Sequence, residues 1–113
     1  MDATLKTKKY EKAIEKLLNE HALMPAKAGD YSRIVIVDKE RQHYMLIATG
    51  WATPTRFIDA ILIHLQIQSD TTIWLMENNT EIHVRDELVK NGVAYNDIVL
   101  AFYPPHYQAL MSA

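Results

Sequence analysis

Apolar residues recur along the chain with two different periods, and the changes between them mark the elements. Over residues 4–23 the period is helical. Tyr10, Ile14, Leu17 and Leu18 fall on one face with Leu5 at its margin, and Lys and Glu take the other. Met24-Pro25 ends that run, because the residue before a proline is pushed out of the α region. A loop containing Gly29 follows, and residues 33–38 form a strand around Ile34-Val-Ile-Val37. Those apolar residues do not alternate with polar ones. This predicts a strand covered on both sides, or covered on one side by a partner. A charged turn, Lys39-Glu-Arg-Gln42, leads into residues 43–49 as the second strand of a hairpin, with Gly50 bending its exit and Trp51 just beyond.

Residues 56–68 fit either period. As a helix they would be apolar around most of the circumference. As a strand they place Phe57, Asp59, Ile61, Ile63, Leu65 and Ile67 on one face, opposite Arg56, Ile58, Ala60, Leu62, His64, Gln66 and Gln68. The polar alternation from Leu62 to Gln68 favours the strand. Ser69-Asp70-Thr71 connects it tightly to a further strand in which Trp74 is expected in the core beside Ile73 and Leu75. Asn78-Asn79-Thr80 stops that strand, and Thr80 is placed to cap a helix whose start is acidic through Glu81, Asp86 and Glu87. Asn91-Gly92 is its exit. Residues 98–102 make a short apolar strand closed by Pro104-Pro105. The expected architecture is α+β: an N-terminal helix, a four-stranded antiparallel meander, a C-terminal helix and a short final strand, in a single domain spanning 1–113.

Composition narrows the function classes. With 113 residues, 49% of them apolar and 23% charged, the chain can bury one core. A net charge of -2 argues against a nucleic-acid surface made by bulk charge. No cysteine occurs, which removes disulfides, thiolate nucleophiles and cysteine-type zinc sites. The start has no apolar signal-peptide core, and no apolar run reaches membrane length. The expectation is a soluble, cytoplasmic protein.

Catalytic patterns are not met. The 5 histidines (His21, His43, His64, His83 and His106) lack the spacing that puts two metal ligands on one helical face. Ser32 and Ser69 sit in expected turns rather than in a nucleophile elbow, and the 3 glycines are far apart. Neither a metal, a cofactor nor an enzymatic activity is expected. Surface chemistry remains. Trp51, Tyr103, Pro104, Pro105, His106 and Tyr107 include types enriched at interfaces, and the tail from His106 to Ala113 is apolar for a chain terminus. They are the candidate partner-binding residues. The Lys8, Lys12 and Lys16 stripe reads first as a solvated helix face.

The segment from Thr72 to Pro105 also resembles the XisI family, the fdxN-element excision controlling factors of cyanobacteria. The resemblance rests on Ile73, Trp74, Thr80, Glu81, Glu87-Leu-Val89, Gly92-Val93, Asp97-Ile-Val-Leu100, Phe102 and Pro104-Pro105. Earlier it takes in Tyr10, Arg41, His43-Tyr44, Gly50-Trp51 and Arg56 through His64-Leu65. Two positions differ: Gln66 stands where the family commonly has Asp, and His106-Tyr107 where it has an Arg. The resemblance implies a non-catalytic regulatory protein acting with an XisH-like, nuclease-fold partner in programmed DNA excision. It leaves open an antitoxin-like inhibitor of that partner, or an accessory factor binding DNA through the lysine stripe or Arg33, Arg41 and Arg56. Otherwise DNA is reached only indirectly. Sheet edges and the apolar tail suggest a homodimer or higher homo-oligomer.

Overall fold

A computed structural model describes residues 3–24, 29–104 and 106. Helix α1 (Ala3–Ala22) is followed by strands β1 (Asp30–Asp38), β2 (His43–Thr53), β3 (Arg56–Ile67) and β4 (Ile73–Asn78). Helix α2 (Val84–Lys90), a 3-10 turn (Tyr95–Asp97) and strand β5 (Ile98–Leu100) complete the described chain. The strands form one sheet in the order β1-β2-β3-β4-β5. The first four are an antiparallel meander, and β5 lies parallel to β4 because α2 carries the chain back over the sheet. The ambiguous stretch is thus strand from residue 56 to 67, and the α+β architecture stands. The final strand is shorter than expected, ending at Leu100.

Both helices lie on one face of the sheet. Tyr10, Ala13, Ile14, Leu17 and Leu18 of α1 and Val84 and Leu88 of α2 form one cluster with Tyr44, Leu46, Ile63, Leu65, Ile67, Ile73, Leu75 and Ile98. Leu5 lies outside it, exposed. Polar ties fix the helices. The Tyr10 hydroxyl donates to Asp97 and accepts from the Ala94 amide, while the Lys6 ammonium sits 2.9 Å from the same carboxylate. Burial works to raise the Asp97 pKa. The bonds from Tyr10 and Lys6 overcome it and hold the group below the usual range. At the other end of α1, His21 Nε2 lies 3.1 Å from both Glu87 oxygens, joining α1 to α2.

Local chemistry departs from expectation at four places. Thr80 does not cap α2. Its hydroxyl accepts from the Ile82 amide and donates to Asn78, closing a turn before the helix, and the N-cap is His83 without a side-chain cap bond. Gly50 does not end β2. It stays within the strand at φ +136°, where a Cβ would lie 2.7 Å from Tyr31 Cα, so Trp51 is a strand residue. In β3 the register slips: Leu46 pairs with Ile63 but Ile47 pairs with Ile61, leaving Leu62 as a bulge. That extra residue reverses the alternation, so Phe57, Asp59 and Ile61 face away from Ile63, Leu65 and Ile67. Trp74 is not core. Ile73 and Leu75 point to the helices, and Trp74 points to the opposite face.

Candidate interaction surfaces

The sheet face away from the helices is built row by row from the register. Trp51 stands between Asp30 and Phe57, Thr49 between Ser32 and Asp59, Ile47 between Ile34 and Ile61, and Met45 between Ile36 and His64. Trp74 continues the face on β4, between Gln66 and Val99. Ile34, Ile36, Trp51, Phe57 and Trp74 are all between 38% and 55% exposed. Burial on β1 alternates strictly through its first eight residues, because odd positions face α1 and even positions face away from both helices, touching only their neighbours in the sheet. The Trp51 and Phe57 rings touch edge to face, with centroids 5.4 Å apart.

One end of this face carries a histidine pair. His43 Nδ1 and His64 Nε2 are 2.8 Å apart, so one ring donates and the other accepts, which requires a neutral imidazole. Burial, and then the neighbouring His43, lower the pKa of His64, against the raising effect of Glu77 across the β3–β4 pair. Among the described residues no group of three or more His, Cys, Asp or Glu is arranged to hold a metal ion.

Two further surfaces lie elsewhere. After β5 the chain turns past Phe102 and Tyr103, whose rings are 4.8 Å apart and both exposed, over a cleft shared with Asn78, Ile82, His83 and Arg85. On α1, Lys8, Lys9, Lys12 and Lys16 line a shallow groove against Asn91, to which Lys16 donates at 3.1 Å. Two acidic residues of α1 turn the other way. Glu11 accepts from Gln42, and Glu15 pairs with Lys39 at 3.4 Å. The groove is therefore lined by cations, although the chain as a whole is slightly acidic.

The family model described as XisI protein matches residues 1–112. The chain belongs to the XisI family. A XisI-like protein from Anabaena variabilis ATCC 29413 superposes with a TM-score of 0.84 at 32% identity, covering 94% of this chain and 95% of that one. The fdxN element excision controlling factor XisI from the same organism superposes at 0.74 and 26% identity, covering 91% and 98%. None of the curated proteins compared matches the chain.

In this XisI-family chain the expected contact residues do not form one cluster. Trp51 lies on the outer sheet face near the tip of the β2–β3 hairpin. Ile63 pairs with Asn78, so Phe57 and Trp51 stand roughly 20 Å further along the strands than Asn78, near which Tyr103 sits. Pro104 and His106 follow Tyr103 and are exposed, while Pro105 and Tyr107 lie outside the described residues. Ile34, Ile36, Phe57 and Trp74 were not among the expected contact residues. The unbroken Ile34-Val-Ile-Val37 run was the signal for the first two. Of the arginines suggested for DNA, Arg33 donates to the His21 carbonyl and Arg41 pairs with Asp38 at 3.0 Å. No helix among the described residues is long and apolar enough to cross a membrane.

Proposed function

We propose that this chain is a regulatory interaction protein, without catalysis of its own, that controls excision of a DNA element by binding an XisH-like, nuclease-fold partner. Membership of the XisI family and the likeness to an excision controlling factor support a regulatory role in that process. The observation that carries the reading is the exposed Phe102–Tyr103 ring pair beside a polar cleft, which suits binding work rather than turnover. The segment through Tyr103, Pro104, Pro105, His106 and Tyr107 takes the partner. At its start the Phe102 and Tyr103 rings sit beside the Arg85 and His83 cleft at the end of the sheet, a setting with both apolar and polar anchors. The protein acts in the cytoplasm and needs no cofactor.

The test is co-purification with an XisH-like protein, followed by sizing of the complex. A stoichiometric complex is expected, and removing residues 106–113 or substituting Tyr103→Ala should weaken it by about tenfold or more. Full binding by the truncated chain would move the contact elsewhere, and no complex at all would remove the partner. If partner binding silences a nuclease activity, the antitoxin-like form of the same reading applies.

The lysine groove favours a second reading, direct contact with DNA phosphates. Lys8→Glu with Lys12→Glu should then abolish binding, and the wild-type affinity should fall steeply with salt. A flat salt response rejects it.

A further inference from the structure

The geometry points to the outer face of the sheet as the seat of a second copy of this chain, packed face to face as a two-sheet sandwich. The strands are built for burial on both sides, yet helices cover only one. Ile34, Ile36, Trp51, Phe57 and Trp74 leave roughly 500 Å² exposed, taking about 200–250 Å² for each whole residue. Half-buried Met45, Ile47 and Ile61 bring the face to roughly 550–700 Å² per copy, approaching the roughly 800 Å² a standard interface takes from each partner. A single apolar patch on a stable monomer rarely exceeds about 600 Å².

Charge selects a second copy over a charged partner. The middle of the face, Ile34, Ile36, Met45, Ile47 and Ile61, carries none, so a two-fold axis can pass through it without setting like charges together. Ionisable groups stand towards its ends: Asp30 and Asp59 at one, and Asp38, His43, His64 and Glu77 at the other, where Asp38 is already paired with Arg41. An axis lying between the sheets and across the strands sets Asp59 of each copy towards the imidazoles of the other. Sheets so packed lie about 10 Å apart. The protruding β2–β3 hairpin then lays Trp51 and Phe57 over the opposite end of its mate.

Sedimentation velocity of the full chain over a wide concentration range tests this without any other protein. The expected result is twice the chain mass at micromolar concentration. Ile36→Glu should weaken association by about 100-fold or more, since it would bury an unpaired carboxylate, while Ile36→Val should keep it. Far-UV circular dichroism checks that the Glu variant is folded. Should it not be, Phe57→Ser at the hairpin tip must weaken association instead. A wild-type monomer at high micromolar concentration overturns the proposal. So does a dimer indifferent to both substitutions, which would place the contact at a sheet edge or in the C-terminal segment. Binding of an XisH-like partner is a separate outcome, because it is measured on a different surface.

Discussion

The two faces of the sheet are made from the same kinds of residue, but they are used differently. On the inner face, Leu46, Ile63, Leu65 and Ile73 are fully buried beneath α1 and α2. On the outer face, Ile34, Ile36, Phe57 and Trp74 belong to the same sheet and remain substantially exposed. Hydrophobicity therefore does not by itself identify the core of this molecule. What separates the faces is the position of the helices, fixed by the Tyr10–Asp97 and His21–Glu87 contacts at either end of α1. The inner face spends its burial on folding, and the outer face keeps it for association.

The largest effect should come from truncating matched residues on the two faces. Leu65→Ala should cost about 2–5 kcal/mol, because it leaves a cavity beneath the helices. Ile34→Ala, measured in urea at a dilution where monomers prevail, should cost less than about 1 kcal/mol. Equal losses would erase the distinction. Gly50→Ala is next, at about 1–3 kcal/mol, since it forces a side chain into a left-handed strand position against Tyr31. Tyr10→Phe should cost about 1–2 kcal/mol by removing the hydroxyl that Asp97 and the Ala94 amide share. Its urea midpoint should fall more than that of a Phe substitution at exposed Tyr95.

The smallest effect is a pH dependence of the outer face. The pKa of His64 is lowered in the fold, first by burial and then by His43, so the native state binds its proton less readily than the unfolded chain. The contribution of neutral His64 is intact above the ordinary histidine value near 6.5. It is lost as pH falls from there through the lower folded value. Thermal unfolding between pH 7.5 and 5 should show this slope, and His64→Gln should flatten it. Asp97 acts in a lower window. Its lowered pKa gives stability present above the usual carboxylate value and lost as pH falls through the folded one.

Much of this organisation was legible in the sequence. Helical spacing placed Tyr10, Ile14, Leu17 and Leu18 correctly on the buried face of α1, and turn chemistry at Asn78 and Gly92 located both ends of the α2 region. Alternation along β3 failed past Leu62 because a bulge adds one residue without any signature of its own. Gly50 looked like a strand end, yet its small size serves a close approach to β1. Trp74 was expected inside with Ile73 and Leu75, on their shared strand pattern and the usual burial of large apolar residues. The sequence contains no statement of which sheet face the helices will cover. The histidine pair was invisible for a related reason, since His43 and His64 meet only through the β2–β3 register.

Both tryptophans of the chain, Trp51 and Trp74, lie on the outer face and none lies in the core, so they report on that face without any substitution. Acrylamide quenching of their fluorescence, followed from dilute to concentrated native protein, tests the division between the faces most directly. A folded, dilute chain with readily quenched tryptophans that become shielded as the mass doubles is the predicted result. Tryptophans already shielded in the dilute folded monomer would contradict it, because the outer face would then be covered by the chain itself.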